Sequence, residues 1–575
     1  MDHREAISAP SLDLDRSTHA ALNQFTKGIS PASLTLSYLD WWLHLVSAPG
    51  KQLELADKAR RKLTCMARTA SRPPVPSQPC ITPLPQDQRF NDPAWQQWPY
   101  NLFYQNFLLT QQWWHNATTE VHGVTQHHED VVTFNTRQWL DMFSPSNFFW
   151  TNPEALLATQ HESGANLMRG AVNWLGDVQR AISGEPSPDT RKFLPGQQVA
   201  LTPGKVVFRN HLIELIQYTP TTPKVHPEPV LIVPSWIMKY YILDLSPHNS
   251  MVRYLVEQGH TVFIVSWRNP DANDRDVGMD DYLKLGPLAA LDVISQIVPG
   301  RKIHAAGYCL GGTLLSIAAA TLAREGDDRL VSLTLLAAET DFEEPGELGL
   351  FIDASQVAYL EDLMWEQGYL DGKQMGNSFT FLNTRDLLWS RMVRDYLLGT
   401  RQPLNDLMSW NADVTRMPYR MHAEYLKSLY LNNELSHGAY RVDGRPAVLS
   451  DIEVPMFVIG TVKDHVSPWR SVYKIHLLAD AEITFALTSG GHNAGIVSEP
   501  GHAGRSYQIQ ARLKDGKYVD PDTWLATAAR HEGSWWLAWQ AWLASHSGKP
   551  VAPPSMGLKE QPPLCDAPGE YVLVR

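Results

Sequence analysis

The stretch "AAGYCLGGT" at 305–313 constrains the fold of this 575-residue chain more than any other, because it centres Cys309 between Gly307 and Gly311. In a G-x-S-x-G bracket the middle residue sits on a sharp turn from strand to helix, and the glycines lie where neighbouring backbone passes too close for a Cβ. The flanks fit that reading. "KIHAA" at 302–306 is compact and apolar enough for a buried strand, and "GGTLLSIAAATLAR" from 311 is a strong helix former. A thiol at a helix N-terminus also has its thiolate favoured by unpaired N–H groups and the helix dipole. A buried structural cysteine beside a glycine turn would give the same nonapeptide, so the rest of the chain has to decide.

Residues 1–200 read as mainly helical, with clustered aromatic faces in "SLTLSYLDWWLHLV" and "WQQWPYNLFYQNFLLTQQWWHNATTEV", and a proline-rich linker "ASRPPVPSQPCITPLPQDQ" at 70–88. Residues 201–575 change texture to alternating strands and helices. "VLIV" at 230–233, "TVFIVSW" at 261–267, "LVSLTLLAAETDF" at 330–342 and "PMFVIG" at 455–460 are strand runs. "SPHNSMVRYLVEQG", with a Ser-Pro start and Gly259 as stop, and "GPLAALDVISQIV", with Pro287 in its first turn, are helices between them. The interval from about 342 to 450 is far longer than a crossover helix requires, and its apolar helical content reads as an inserted cap. The expectation is an α/β-hydrolase fold with a large cap, preceded by a mainly helical N-terminal domain.

That fold orders its catalytic residues as nucleophile, acid, histidine, with the last two in loops after late strands. "PMFVIGTVKDHVSPW" supplies Asp464 just past its strand, and "EITFALTSGGHNAG" supplies His492 in a glycine-rich loop. His465 is a rival base, but adjacent Asp and His on one loop could hardly relay a proton to Cys309. Asp464 taken alone also reads as a loop-capping aspartate. Oxyanion donors are expected at the backbone N–H of Leu310, directly after the nucleophile, and near Ile237 in "PSWIMK" after the 230–233 strand.

Composition narrows the function classes. A formal net charge of −12 disfavours general nucleic-acid binding; Lys239, Arg253 and Arg268 could still form a local patch for an anionic cofactor, although an ordinary surface or ion-paired position is the stronger reading of each. The four cysteines, Cys65, Cys80, Cys309 and Cys565, lack C-x-x-C spacing, which argues against a zinc site or disulfide framework and for a reducing compartment. No metal and no cofactor is expected. A polar start without a signal-like apolar run, and no run long enough to span a bilayer, give the expectation of a soluble cytoplasmic protein without a transmembrane segment. The 20 tryptophans suggest amphipathic surfaces that meet a partner, a cap or an apolar ligand.

Several blocks together resemble the poly(3-hydroxyalkanoate) synthases, the class I type in particular. They are "SPSNFFWTNPEAL", "VVFRNHLIELIQYTP", "VPSWIMKYYILDLSPHNSMVRYLVEQGHTVFIVSWRNPD", "GYCLGG", "DHVSPW" and "EGSWWLAWQAWL". The resemblance implies that Cys309 carries a growing polyester, drawn from 3-hydroxyacyl-CoA with release of CoA, CoA being part of the substrate. It also implies a cytoplasmic homodimer at a polymer granule surface, among granule-associated proteins, the helical domain supporting granule and dimer contacts. Two positions depart from the family pattern: Met238 stands where Asn is common, and Asn493 where a short apolar residue is common. A cysteine esterase, thioesterase or intracellular depolymerase on the same fold, and a catalytically quiet granule-binding protein, are the alternative readings.

Overall fold

The computed structural model describes residues 9–26, 28–71, 79–183, 192–372, 374–376 and 384–575. Part of the expected proline-rich linker, 72–78, and positions 373 and 377–383 of the expected cap lie outside them. The chain forms two units. One holds residues 29–183 with 384–403, and the other holds the helix Ala9–Thr26, residues 192–376 and residues 404–575. Relative to a single cut near residue 200, two pieces are exchanged: the first helix and the segment 384–403.

The first unit is helical. Pro31–Val46 and Pro49–Ala70 open on proline, whose missing N–H costs nothing in a first turn. Tyr100–Thr118, Gln126–Met142, Pro153–His161 and Ala165–Ser183 follow. Phe90, Trp95, Tyr104, Phe107 and Leu108 form a small aromatic core. Beside it the buried Arg89 guanidinium bridges Asp87 at 2.8 Å and Asp141 at 2.7 Å. Asn166 and Asn173 on the last helix donate to the carbonyls of Leu397 and Asp395, at 2.8 and 2.9 Å, which ties the segment 384–403 to this unit. One sequence expectation fails here. Cys65 and Cys80 are joined in a disulfide, because the helix end and the chain that returns along it bring their Cα atoms to 6.0 Å. The absence of C-x-x-C spacing bears on metal sites and says nothing about such a pairing.

The second unit is built on one eleven-stranded sheet. Its strands are β1 Gly204–Arg209, β2 Ile213–Tyr218, β3 Val230–Val233, β4 Val262–Trp267, β5 Ile303–Tyr308, β6 Leu330–Leu336, β7 Met456–Thr461, β8 Ile483–Thr488, β9 Ser506–Arg512, β10 Ala529–Glu532 and β11 Cys565–Asp566. The order is β10-β9-β8-β7-β6-β5-β3-β4-β2-β1-β11. The centre, β4-β3-β5-β6-β7-β8, is parallel, and the strands outside it are antiparallel. Helices on both faces cover the parallel strands, so runs such as Val230–Val233 are apolar throughout and fully buried.

Three elements end or begin elsewhere than their apolar patterns indicate. Strand β6 stops at Leu336, where its carbonyl accepts the N–H of Cys309 at 2.9 Å; Ala337 then turns to φ +47° and "AETDF" leaves the sheet. The helix after β3 starts at Met251, not at the Ser-Pro pair, because Ser250 caps it by accepting the N–H of Arg253 at 3.0 Å. Pro287 lies in a wide turn, Lys284–Leu288, and the regular helix begins at Ala289. Gly286 is needed in that turn, since a Cβ there would meet the Trp267 ring at 2.4 Å.

Between β6 and β7 the chain forms helices Ala354–Gln367, Asp406–Asn411 and Tyr419–Tyr425, the last continuing as a wider turn to Leu431. Ala354–Gln367 packs on the helix Ala9–Thr26 through His19 to Asp362 at 2.7 Å and Thr26 to Tyr359 at 2.9 Å. No helix among the described residues is long and apolar enough to cross a membrane.

Candidate active site

The turn between β5 and the helix Leu310–Glu325 holds Cys309 at φ +52°, ψ −126°, a left-handed conformation that L residues rarely adopt. Its neighbours make the strain possible. A Cβ on Gly307 would come within 2.3 Å of the Gly312 Cα, and one on Gly311 within 2.1 Å of the Val233 carbonyl oxygen. The bracket therefore needs glycine because the elbow is pressed against the end of β3. Cys309 is half-buried. Leu310 opens the helix, so its N–H has no partner within the helix and is available as an oxyanion donor. Ile237 lies in the loop after β3; its N–H makes a long hydrogen bond of 3.4 Å to Ser235 Oγ and its carbonyl accepts from Thr415.

Asp464 and His492 arrive from the loops after β7 and β8. His492 Nδ1 lies 2.8 Å from Asp464 Oδ2, and the imidazole is within electrostatic reach of the Cys309 thiol. The Asp464 side chain is inaccessible and fully engaged. Thr461 Oγ1 donates to the same oxygen at 2.9 Å, while the N–H groups of Val466 and Ser467 donate to Oδ1 at 2.9 and 2.8 Å. Burial would raise its pKa, but the charge and hydrogen bond of His492, with those two N–H groups, hold the carboxyl below its usual range. Burial likewise opposes a charged His492, yet Asp464 and then Cys309 outweigh it and hold the imidazole pKa well above the ordinary histidine value. His465 is exposed and does not share Asp464.

The helix His492–Ile496 that carries the imidazole is held from below. Trp535 and Trp536, both buried, donate their indole N–H to the carbonyls of Gly495 and Ile496 at 3.0 and 2.9 Å. Asn493 accepts from the Tyr308 hydroxyl at 2.5 Å and donates to Asn411 at 3.2 Å, and the Tyr308 ring lies 5.6 Å from the His492 ring. The residue before Cys309 is thus tied to the residue after His492. Met238 packs into the apolar cluster on that side of the sheet and bridges to Val414.

From the other side, Tyr425 and Tyr430 on the cap reach the electrostatic environment of Cys309, their hydroxyls 3.1 Å apart. Sequence reasoning did not single out Tyr308, Thr461, Trp535, Trp536, Tyr425 or Glu339; an acid inside the apolar run "LLAAETDF" was the one available signal. The three basic residues do not form a patch. Arg253 pairs with Glu257 at 2.8 Å and Arg268 with Asp274, while Lys239 is buried and donates to the Val574 carbonyl at 2.6 Å, its pKa lowered by burial to about 8.

A thiol on a strand-to-helix turn, an aspartate–histidine pair and the unpaired N–H that opens the elbow helix are the groups that acyl-transfer chemistry uses. Comparison with known proteins specifies the family. The family described as "Poly-beta-hydroxybutyrate polymerase (PhaC) N-terminus" matches residues 86–255, "Poly-beta-hydroxybutyrate polymerase N terminal" matches 9–51, and "alpha/beta hydrolase fold" matches 228–499. A poly(3-hydroxyalkanoate) polymerase of Methylorubrum extorquens is 39% identical, covering 87% of this chain and 82% of that one. A poly(3-hydroxyalkanoate) polymerase subunit PhaC of Cupriavidus necator is 38% identical, covering 84% and 83%. Solved structures align more loosely. A Paleococcus ferrophilus monoacylglycerol lipase is 12% identical with a TM-score of 0.31, covering 58% of this chain and 99% of that one, and a thioesterase domain from the curacin biosynthetic pathway is 15% identical with a TM-score of 0.28, covering 51% and 94%. Matched from its first described helix through its hydrolase core, and over most of the length of such relatives, the chain belongs to the poly(3-hydroxyalkanoate) polymerase family.

Proposed function

We propose that the protein polymerises (R)-3-hydroxyacyl-CoA into polyhydroxyalkanoate through an acyl-Cys309 intermediate, with release of CoA. The observation that carries this reading is a cysteine on the strained elbow, within electrostatic reach of a histidine whose Nδ1 lies 2.8 Å from Asp464. The Cys309 sulfur attacks the thioester carbonyl as His492 takes its proton, the oxyanion rests on the N–H of Leu310 and a donor near Ile237, and the C–S bond to CoA breaks as His492 returns the proton to the CoA sulfur. One thioester replaces another, so the acyl group stays activated. His492 then takes the proton from the 3-hydroxyl of a second 3-hydroxyacyl-CoA, whose oxygen attacks the acyl-Cys309 carbonyl; the acyl–sulfur bond breaks, His492 returns the proton to the Cys309 sulfur, and the lengthened chain, now a CoA thioester, reloads onto Cys309 with loss of CoA.

Work at a granule surface in the cytoplasm, beside granule-associated proteins and as a homodimer, belongs to the same proposal. Its support is the apolar surface of the helical unit, where Trp150, Met168 and Ile182 are 79%, 74% and 83% exposed.

Pure protein given 3-hydroxybutyryl-CoA should release CoA and deposit nearly all acyl groups in an insoluble product, with Cys309→Ala as the inactive control. Free 3-hydroxybutyrate appearing in step with CoA would instead make the protein a thioesterase.

A further inference from the structure

Glu339 is an acid without an assigned task beside the triad. It follows β6, is 3% exposed, and its Oε1 has no hydrogen-bond partner. The backbone around it is fixed. The Glu339 carbonyl accepts from Thr313 Oγ1 on the elbow helix at 2.7 Å, a Cβ on Gly312 would meet that of Ala338 at 2.5 Å, and the Phe342 N–H donates to Asn433 Oδ1 at 2.9 Å. Its carboxyl lies within the electrostatic reach of Cys309, Asp464 and His492, and of Tyr425 and Tyr430 on the cap. Burial first, then the charges of Asp464 and Cys309, push its pKa far above the usual range against the opposing pull of His492. Burial therefore favours the protonated carboxylic acid, which has one O–H to donate and a carbonyl to accept.

A buried polar atom left unpaired is costly, and relief by a ligand is one way such an atom persists. A 3-hydroxyacyl thioester brings two oxygens to the acyl site. The thioester carbonyl is served by the backbone donors at the elbow, which leaves the oxygen on C3. We propose that Glu339 is a specificity-determining residue that hydrogen-bonds the C3 oxygen of the acyl group on Cys309. A neutral acid suits both forms of that oxygen, the free hydroxyl of a monomer and the ester oxygen of a chain already lengthened.

The inference rests on the acyl-Cys309 reading, and the test separates the two. Single-turnover CoA release from 3-hydroxybutyryl-CoA and from its deoxy analogue butyryl-CoA is measured for the wild type, Glu339→Gln and Glu339→Leu. The wild type should favour the hydroxy substrate, Glu339→Gln should keep most of that preference, and Glu339→Leu should lose about tenfold of it, chiefly in apparent affinity. Circular dichroism should show Glu339→Leu folded and no less heat-stable, since it removes an unpaired polar atom; if Leu is not tolerated, Glu339→Ala reads the same ratio. An unchanged ratio in the apolar variant, or no preference in the wild type, overturns the role of Glu339 while leaving acyl transfer intact. CoA release from neither substrate in the wild type defeats the functional reading itself.

Discussion

Asp464 does two things to His492: it engages Nδ1 of the ring, and it raises the imidazole pKa. Because the folded pKa of His492 lies above its unfolded value of about 6.5, the pair contributes stability that is complete below that pH and fades as pH rises through the folded value. Asp464 is the mirror case. Its depressed pKa contributes stability above the unfolded value of about 3.9, which is lost as pH falls through the folded one. In the proposed reaction the same shift governs catalysis, since a base must be neutral to take the 3-hydroxyl proton. Asp464→Asn should therefore move the ascending limb of the kcat/KM profile to lower pH while lowering its plateau by about 10²-fold or more. A pH series of initial CoA release with both proteins checks this, and a limb that stays in place would show that Asp464 does not set the imidazole charge.

At the scale of elements, the elbow was legible because its glycines are demanded by backbone. The Cβ position at Gly311 overlaps the Val233 carbonyl, which no side-chain rearrangement can relieve. Gly311→Ala should cost roughly 2–3 kcal/mol, lower the thermal midpoint, and depress CoA release further by displacing the loop that holds Ile237. Gly50→Ala, in a helix and with open space around it, should be neutral or slightly stabilising in the same melting experiment. The order of Cys309, Asp464 and His492 was readable for a related reason: each follows an apolar strand run, and the chain order of those runs sets which loop ends share one edge of the sheet. The supports were not readable. Trp535 and Trp536 reach the helix of His492 from forty residues away, and no periodicity in "EGSWWLAWQAWL" says which carbonyls its indoles meet. The end of β6 was overrun for the converse reason, since "AA" continues an apolar pattern while the backbone has already turned.

Across the whole molecule, the same limit appears in the exchange of segments between the two units and in the Cys65–Cys80 disulfide. Local pattern identifies a helix but not which core receives it. The helix Ala9–Thr26 belongs with the hydrolase unit because His19, Arg16 and Thr26 find partners in Asp362, Trp365 and Tyr359, residues far along the chain. The disulfide has a consequence that differs between the units. It closes a loop with a sequence separation of 15 in the helical unit, and a loop of that size restricts the unfolded chain by an amount worth about 3 kcal/mol. The small aromatic core of Phe90, Trp95 and Tyr104 makes that a large share of what holds the unit folded. Cys309 and Cys565 are free thiols in the other unit, so Cys65→Ser/Cys80→Ser isolates the effect where reductant alone does not. Limited proteolysis across a temperature series should show cleavage within residues 29–183 beginning at lower temperature in the double variant, with cleavage within 404–575 unchanged. Equal onset in both proteins would mean that the disulfide contributes nothing to the stability of the helical unit.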